Sequence, residues 1–306
     1  MLTVTVPNAD LLRRLDDLSD RVRLVVWDME SPLDPEAAAE AEVVVVPHYF
    51  IRPPEAWDVL AALPRLSMVQ LPSAGFEHAL PRLPAGVTLC NGRGVHSTGT
   101  AELAVGLVLA MQRGLLDSAR AMAEGRWHQP LLPSLADRRV LVVGAGSVAD
   151  AVVARLRPFE VEIVQVARTA RGEVHGVDEL GDLVGDADVV ILTVPLDRTT
   201  YHLVDAALLA RMKDGTLLVN VARGKVVDTD ALLAELTTGR LRAALDVTEP
   251  EPLPPDHPLW RAPNLLVTAH LGGNSTATDA RIAALVRRQL EAILEGADPI
   301  NVVAHT

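Results

Sequence analysis

The sequence has few of the residues that stabilise extracellular folds or bind nucleic acid. Its 306 residues include one cysteine, Cys90, so no disulfide can form within the chain. We expect this cysteine to be a small buried hydrophobic residue rather than a reactive thiol. Aromatic residues make up 3% of the chain and the formal net charge is −12, so a basic surface with stacking side chains is missing. Nucleic acid is therefore not an expected partner.

Long apolar runs are also missing. The longest apolar stretches, such as residues 103–111, are well short of the roughly 20 residues that a helix needs to cross a bilayer. The first residues, Met-Leu-Thr-Val-Thr-Val, lack the basic region that begins a secretory signal peptide. We expect a soluble cytoplasmic protein with no membrane partner.

What the sequence does contain is a repeated alternation of short β-branched runs and helical patterns. With 49% hydrophobic residues, a chain of this length can form two buried cores. The alternation predicts an α/β fold with two doubly wound parallel sheets. The predicted strands of the first sheet are residues 2–6, 22–27, 43–46, 68–71 and 87–89, and those of the second are residues 139–144, 161–166, 188–194, 216–221, 242–246 and 264–268.

Two helical segments lie outside this alternation. Apolar residues cover most of the circumference of a predicted helix over residues 100–123, which Thr98 or Thr100 can cap. We expect this helix to be buried between domains or between subunits, which makes it a candidate interface of a homodimer. Residues 275–294 are predicted to form a helix with one apolar side.

A glycine-rich turn follows the first strand of the second sheet. Residues 140–149 read Val-Leu-Val-Val-Gly-Ala-Gly-Ser-Val-Ala, which is a hydrophobic strand, a Gly-x-Gly-x-x-Ala turn and the start of a helix. Gly144 permits the tight turn, and Gly146 lets the backbone approach a pyrophosphate. The helix that begins near Ser147 and Val148 directs its amino terminus toward the phosphates. The pattern predicts a dinucleotide site in a Rossmann domain.

The end of the next strand selects the dinucleotide. An acidic residue that binds the adenosine ribose of NAD is expected about 20 residues after Gly146. This position is Ala167, and Arg168, Thr169 and Arg171 follow it. With no carboxylate to repel a 2′-phosphate and two guanidiniums to bind it, the loop favours NADP, with NAD as the alternative cofactor. A solvated basic loop is the other interpretation of these residues.

Three further signatures each contain one residue suited to catalysis. They are Val-Asn-Val-Ala-Arg-Gly (219–224) with Arg223, Asp-Val-Thr-Glu-Pro-Glu-Pro (246–252) with Glu251, and Thr-Ala-His-Leu-Gly-Gly (268–273) with His270. A cation, a carboxylate and an imidazole are the groups needed to bind a 2-keto acid, to tune a proton carrier and to carry the proton. Together with residues 70–78, 100–104 and 194–204, the signatures resemble the D-isomer-specific 2-hydroxyacid dehydrogenases, strongly over residues 70–306 and weakly before residue 65.

The resemblance implies a domain organisation and roles for the catalytic residues. It implies a smaller, flavodoxin-like substrate-binding domain that is discontinuous (1–97 with 275–306), a Rossmann domain (98–274) and a cleft between them. It assigns Arg223 to the substrate carboxylate and carbonyl oxygen, His270 to proton transfer, and Glu251 to pairing with His270. Glu251 is chosen over Glu249 because the family's glutamate stands five residues after the aspartate that corresponds to Asp246.

Further contacts are implied by the same resemblance. The loop of Ser73, Ala74 and Gly75 is expected to hold the substrate carboxylate with its backbone amides. The expected cofactor contacts are Gly144, Gly146, Ser147, Val148, Arg168, Thr169, Arg171, Val194, Pro195, Val221, Ala222, Asp246, His270 and Gly272. No spacing of histidine and carboxylate residues resembles a zinc site, so no metal is expected.

The sequence departs from the family pattern at a few positions. Glu160 stands where a glycine is frequent, Thr248 where an aromatic residue is usual, and Ala269 where a proline usually precedes the catalytic histidine. A proline at this position would restrict its own backbone and that of the residue before it. With Ala269 there instead, we expect the backbone that directs His270 to be less restricted. Formate dehydrogenases of this family carry glutamine at the position of Glu251, so that activity is not expected.

These expectations combine into one function. We expect an NADP-preferring homodimeric reductase that converts small 2-keto acids to D-2-hydroxy acids, of the glyoxylate/hydroxypyruvate reductase kind. The alternatives are a nucleotide-sensing binding protein resembling the co-repressors of this family, and a dehydrogenase of a larger acid such as 3-phosphoglycerate. His48, Tyr49 and Phe50 either line the substrate pocket or form a surface loop.

Overall fold

The computed structural model describes residues 1–48 and 54–306. The chain divides into two compact units. Unit 1 consists of Met1–His96 and Thr276–Thr306, and unit 2 consists of Ser97–Ser275. Each unit is built on its own β-sheet.

The secondary structure elements alternate along both units. The strands of the described residues are β1 (Leu2–Val6), β2 (Val22–Val26), β3 (Val43–Val45), β4 (Met68–Gln70), β5 (Thr88–Cys90), β6 (Arg139–Val143), β7 (Glu162–Ala167), β8 (His175–Gly176), β9 (Val189–Leu192), β10 (Leu217–Asn220), β11 (Arg242–Leu245), β12 (Leu265–Val267) and β13 (Val302–His305). The α-helices are α1 (Ala9–Arg14), α2 (Pro35–Glu40), α3 (Ser97–Gln112), α4 (Leu115–Ala123), α5 (Ser147–Leu156), α6 (Leu180–Leu183), α7 (Ala206–Arg211), α8 (Thr229–Thr237) and α9 (Ala277–Leu294).

The sheet of unit 1 has the strand order β2-β1-β3-β4-β5-β13. Strands β1 to β5 are parallel, which is the doubly wound order of flavodoxin-like folds. β13 pairs antiparallel with β5 and was not predicted. Helix α9 packs on the same sheet, because the apolar side chains of Ile282, Leu285 and Leu290 are buried in one core with those of Val4 and Leu15.

The sheet of unit 2 has the strand order β8-β7-β6-β9-β10-β11-β12, and all its pairings are parallel. This order is that of a Rossmann fold with one further strand at the β12 edge. Every strand predicted for the two sheets is present, with ends that differ by one or two residues. The predicted fold class, two doubly wound parallel sheets, is confirmed.

The single helix predicted over residues 100–123 was wrong, because the structure has two helices there. α3 ends at Gln112, and Gly114 has a left-handed φ of 57°, which stops the helix before α4 begins. α3 is buried in the core of unit 2 through residues such as Ala104 and Val108. α4 instead exposes large apolar side chains, so the expected burial applies only to α3 within one copy of the chain. Thr98 and Thr100 lie inside α3 and not at its cap.

Candidate active site

Three neighbouring strands of unit 2 end beside the predicted catalytic residues. β10, β11 and β12 lie side by side in parallel, so their carboxyl ends meet at one edge of the sheet. Arg223 follows β10, Asp246 follows β11 and His270 follows β12. Ligands bind at this edge in doubly wound folds.

The buried carboxylate of Asp246 fixes the loop that carries His270. Asp246 is 2% exposed. Its carboxylate accepts hydrogen bonds from the Thr268 hydroxyl at 2.6 Å and from the backbone amides of Leu271 and Gly272 at 2.7 and 2.9 Å. Its carbonyl oxygen accepts the His270 amide at 2.8 Å. These bonds hold His270 at a φ of 53°, a left-handed conformation that side chains other than glycine rarely adopt.

Because both of its oxygens are engaged in this way, the Asp246 carboxylate acts mainly as a brace for the loop, a role the sequence did not indicate. Gly272, also expected beside the cofactor, sits within the same brace. A Cβ there would lie 3.1 Å from the Asp246 carboxylate and from the Thr100 hydroxyl.

His270 is paired with Glu251. Nδ1 of His270 lies 2.5 Å from Oε1 of Glu251, and the two side chains are 49% and 40% exposed. This hydrogen bond raises the pKa of His270 above its usual value, against the effects of burial and of the nearby Arg223 charge. Burial alone would raise the pKa of Glu251, but the hydrogen bond and charge of His270 outweigh it, so that pKa lies below its usual value. The geometry stabilises an imidazolium beside a carboxylate.

The neighbouring glutamate has a different partner. Oε2 of Glu249 lies 3.1 Å from Nε2 of His202, and the Thr229 hydroxyl donates to the Glu249 carbonyl at 2.9 Å. The structure therefore brings Glu251, and not Glu249, to His270. Sequence reasoning missed His202, because nothing local to it indicates that it meets a glutamate from a distant loop.

Arg223 is held in a loop that packs closely against the segment before Glu251. The Asn220 side chain accepts the Ala222 amide at 3.0 Å and donates to the Arg223 carbonyl at 2.9 Å. At Gly224 a Cβ would lie 1.9 Å from the Thr248 carbonyl oxygen, so only glycine permits this approach. The half-buried Arg223 thus lies in the same cluster as His270 and Glu251, and its charge acts on both of them. Val221 and Ala222, both expected cofactor contacts, are buried beside it.

The glycine-rich turn has the shape that a dinucleotide needs. At Gly144, where φ is 132°, a Cβ would lie 2.2 Å from the Thr193 hydroxyl oxygen. At Gly146 a Cβ would meet no atom within 4 Å, so the backbone there is open to a ligand. Helix α5 begins directly after Gly146, at Ser147. The Ser147 hydroxyl accepts a hydrogen bond from the Ser97 hydroxyl at 2.8 Å. A pyrophosphate fits the open backbone and the amides of Ser147 and Val148.

The basic loop after β7 contains a carboxylate contact that the sequence did not indicate. Arg171 donates to the Ala145 carbonyl at 2.8 Å, which places its guanidinium beside the glycine-rich turn. Arg168 forms an ion pair with Asp197, a residue of the loop after β9. No carboxylate was expected beside these guanidiniums. That expectation was wrong, because the loop after β9 brings Asp197 to Arg168 in the loop after β7. Thr169 is exposed.

The loop after β9 also contains the last two expected cofactor contacts. Val194 is half-buried and Pro195 is exposed. The Thr200 hydroxyl donates to the Pro195 carbonyl at 2.7 Å and so fixes the turn that carries Asp197.

In unit 1, the loop of Ser73, Ala74 and Gly75 follows β4. The Gly92 amide donates to the Ser73 carbonyl at 2.6 Å, and the Asn91 side chain donates to the Ala74 carbonyl at 2.7 Å. The Ser73 hydroxyl donates to the Gly75 carbonyl at 3.0 Å. In contrast to these carbonyls, the three amides of the loop donate no hydrogen bond to any described residue. They are available to bind an anion.

The remaining predicted residues do not add a second site. His48 lies in unit 1, with its Nε2 3.1 Å from Nε2 of His96, whereas Tyr49 and Phe50 lie outside the described residues. Across residues 1–48 and 54–306, no group of three or more histidine, cysteine or acidic side chains could hold a metal ion. In the same ranges, no helix is long and apolar enough to span a membrane.

Comparison with known proteins identifies the family. Residues 105–272 match the model of the NAD-binding domain of D-isomer-specific 2-hydroxyacid dehydrogenases. A glyoxylate reductase of Thermofilum pendens is 35% identical over 79% of this chain and 76% of its own length. A D-isomer-specific 2-hydroxyacid dehydrogenase family protein from Aeromonas salmonicida is similar in structure, with a TM-score of 0.87, 27% identity and coverage of 100% of this chain and 99% of that one.

A further similar structure is an NADPH-dependent glyoxylate/hydroxypyruvate reductase from Sinorhizobium meliloti, in complex with citrate. Its TM-score is 0.81, its identity is 28%, and the alignment covers 100% of this chain and 99% of that one. These similarities extend beyond the nucleotide-binding region to the whole chain. The chain therefore belongs to the D-isomer-specific 2-hydroxyacid dehydrogenase family and is an NAD(P)-dependent oxidoreductase.

Proposed function

We propose that the protein reduces small 2-keto acids of the glyoxylate and hydroxypyruvate type to D-2-hydroxy acids, with a preference for NADPH. The observation that carries the proposal is the contact of His270 with Glu251, with Arg223 in the same cluster, at the strand ends of a dinucleotide-binding sheet. The relatives named glyoxylate reductase support the size of the substrate.

The proton would come from Nε2 of His270. Glu251 holds Nδ1 of that ring, which leaves the other nitrogen to face the substrate. A protonated imidazole can then donate to the carbonyl oxygen as negative charge develops there. The guanidinium of Arg223 stabilises the same charge. The Asp246 hydrogen bonds keep the imidazole in place during this step.

The cofactor would be held by the tight turn at Gly144, by the open backbone at Gly146 and by the amino terminus of α5. When bound, the nicotinamide supplies the hydride. The surrounding contacts assigned to it are Ser147, Val148, Val194, Pro195, Val221, Ala222, Asp246, His270 and Gly272, of which Asp246 contributes through the loop that it fixes.

The preference for NADPH would come from Arg168, Thr169 and Arg171. The ion pair of Arg168 with Asp197 lies at the surface, where such a pair contributes about 0–1 kcal/mol. A 2′-phosphate with bidentate contacts to guanidinium groups binds more strongly, so it can displace Asp197 from Arg168. The contacts of the two guanidinium groups depend on the 2′-phosphate, which NADH lacks.

The substrate carboxylate is assigned to the Arg223 guanidinium and to the amides of Ser73, Ala74 and Gly75. A guanidinium can bind a carboxylate and a carbonyl oxygen with one planar fork. The three amides support the assignment because their carbonyl groups are already bonded within the chain and the N–H groups are not.

A panel of substrates tests the proposal. The purified protein is assayed with NADPH and with NADH on glyoxylate, hydroxypyruvate, pyruvate, phenylpyruvate and the keto acid of 3-phosphoglycerate. We expect the highest kcat/KM for glyoxylate and hydroxypyruvate with NADPH, and no activity on the amides of the same acids. Tight binding of NADPH without reduction of any 2-keto acid would instead support a nucleotide-sensing role, and preference for the phosphorylated acid would support a larger substrate.

We infer further that the protein is a homodimer. Met122 at the end of α4 is 77% exposed, and the following segment exposes Trp127 by 92% and Leu131 fully. Apolar groups this exposed are typical of a surface that a second copy covers. Sedimentation should show a dimer that Trp127→Ser weakens. Trp260→Ser, which removes a half-exposed tryptophan elsewhere in unit 2, should leave the dimer intact. A monomeric parent protein would exclude this inference.

A further inference from the structure

The glycine-rich turn is bonded by a side chain of the neighbouring strand, Gln165 of β7. Nε2 of this half-buried glutamine donates to the Gly144 carbonyl at 3.0 Å. The Gly144 amide donates to the Val166 carbonyl at 2.7 Å, which is the last backbone bond between the two strands at this end. No backbone amide of the described residues donates to the Gly144 carbonyl. Gln165 is therefore the group that fixes the direction of this carbonyl.

The amides that follow this carbonyl have no partner within the described chain. The N–H groups of Ala145, Gly146, Ser147 and Val148 donate no hydrogen bond to any described residue. The last two belong to the first turn of α5, a helix of ten residues. Consecutive backbone amides at the start of a helix form a binding site for a phosphate group. We call these four N–H groups the amide row, and the cofactor of this family supplies a pyrophosphate that fits it.

The Gly144 carbonyl and the first amide of the row belong to one peptide group. In a trans peptide the C=O of one residue and the N–H of the next point in opposite directions. Because Gln165 holds the Gly144 oxygen, the Ala145 N–H points away from Gln165. Gly144 has a φ of 132° and no Cβ that would restrict the rotation of this peptide group. Without the donor, the oxygen can turn toward the amide row, where its partial negative charge would repel a phosphate.

The next carbonyl of the turn has a donor of a different kind. The Ala145 carbonyl accepts the Arg171 guanidinium at 2.8 Å, at an exposed position. Water can replace an exposed donor, so this carbonyl keeps a partner when Arg171 turns to a 2′-phosphate. The bond from Gln165 is partly buried and less accessible to water. Of the two side chains, Gln165 is therefore the one on which the shape of the turn depends.

We propose that Gln165 is a positioning residue for the pyrophosphate of the cofactor, in NADH and NADPH alike. Its side-chain amide holds the peptide group between Gly144 and Ala145 so that the amide row faces the phosphates and the carbonyl oxygen does not. Gln165 thereby raises the affinity for both dinucleotides by the same factor and leaves the preference between them unchanged. This inference needs only the NAD(P) dependence of the family and is independent of the proposed substrate.

Calorimetric titration of the full chain without substrate tests this role. The ligands are NADPH, NADH and ADP-ribose, which share the pyrophosphate, and ADP-ribose has no nicotinamide. Gln165→Met keeps the length of the side chain and removes its N–H donor. We expect all three ligands to bind roughly fivefold more weakly to Gln165→Met than to the parent protein, the size of one neutral hydrogen bond. The ratio of the NADPH and NADH affinities should stay that of the parent.

A second variant and a matched control accompany this measurement. Gln165→Glu keeps the shape of the side chain, but an ionised carboxylate cannot donate and repels the carbonyl oxygen. It should weaken all three ligands by roughly tenfold or more, and it tests the same contact if Gln165→Met impairs folding. Ile163→Leu is the control, because Ile163 is a half-buried residue on the same face of β7 and does not bond the turn. It should change binding by less than about twofold.

Adenosine separates positioning of the pyrophosphate from a general loss of structure. It has no phosphate group, so its binding to Gln165→Met, measured by competition with ADP-ribose, should stay within about twofold of the parent. General destabilisation would weaken adenosine as much as ADP-ribose. Unchanged binding of ADP-ribose in Gln165→Met, an equal loss for adenosine, a loss confined to NADPH, or an equal loss in Ile163→Leu would each overturn the proposal.

Discussion

The pair of His270 and Glu251 leads to a prediction about the pH dependence of the reaction. Replacement of Glu251 by glutamine removes the negative charge and keeps the size of the side chain. The hydrogen bond that His270 donates to Glu251 is the main cause of the raised pKa of His270, so this pKa should fall in Glu251→Gln. Reduction needs the imidazolium, which is present below the pKa. The alkaline limb of the kcat/KM profile should therefore move to lower pH.

The size of the change follows from the contact and its exposure. An opposite charge in direct contact changes a pKa by about 1–3 pH units. The lower end applies here, because the two side chains are 49% and 40% exposed and water screens the pair. We expect the pKa of His270 to fall, because its main stabilising partner is lost. At a pH above both pKa values, reduction should then be roughly tenfold slower, since tenfold fewer imidazolium groups are present.

The assay measures kcat/KM for glyoxylate reduction from pH 5 to 10 with saturating NADPH. Glu249→Gln is the matched control. It removes the same charge from a glutamate that lies two residues before Glu251 and contacts His202 instead of His270. Its profile should have the alkaline limb of the parent. A Glu251→Gln profile that superimposes on the parent's, or an equal displacement in both variants, would refute the assignment of Glu251.

Other substitutions test the remaining groups of the site. His270→Gln should retain NADPH binding and lose about a hundredfold or more in kcat, measured by fluorescence titration and steady-state kinetics, because general acid catalysis is removed. Arg223→Lys should lower kcat/KM by at least tenfold, since an ammonium cannot reproduce the guanidinium fork, and a change in KM alone would contradict this role. Arg168→Ala with Arg171→Ala should weaken NADPH binding roughly ten- to a hundredfold and leave NADH binding nearly unchanged. Asp197→Asn should strengthen NADPH binding up to about fivefold. Tighter binding of NADH than of NADPH by the parent protein would exclude the preference.

The fold could be predicted wherever the local pattern was long and regular. The buried runs that became β6, β9 and β10 are nearly continuous hydrophobic segments, which is typical of central strands in a parallel sheet. β8 has only two residues, too few to show a period. The pairing of β13 with β5 depends on chain that lies far away in the sequence.

The break between α3 and α4 shows a different limit. Apolar residues occur on both sides of Gly114, at Met111 and at Leu115 and Leu116, so the pattern alone predicts one helix. Glycine in the middle of a helix is unfavourable by about 1 kcal/mol, which is too little to identify a break from sequence. Here the left-handed φ of Gly114 ends the first helix, and the exposure of Met122 shows that the second helix has a different environment.

The sequence predicted which residues meet at the candidate active site, but not the contacts that hold them in place. Arg223, Glu251 and His270 each lie in a local signature at the end of a strand, and parallel strands bring these ends together. The Asp246 carboxylate holds the His270 loop through hydrogen bonds from backbone amides. Every residue except proline has such an amide, so the sequence does not show which amides it binds. The choice of Glu251 over Glu249 came from the family spacing alone, and the structure places Glu251 at His270 and Glu249 at His202.

The basic loop after β7 shows a limit of local sequence patterns. Such a pattern can propose the groups that bind a ligand, but it does not show which other side chains already contact them. Arg168 and Arg171 are adjacent in sequence to the end of β7, whereas Asp197 belongs to the loop after β9, two strands away in the sheet. If Arg168 binds the 2′-phosphate as proposed, the ion pair lowers the affinity for NADPH, because Arg168 then has to leave Asp197 first. The loss is bounded by the small contribution of a surface pair, about 0–1 kcal/mol. Hydrogen bonds between a guanidinium and a charged phosphate contribute about 1.5–3 kcal/mol, so the preference for NADPH should be reduced by Asp197 but not reversed.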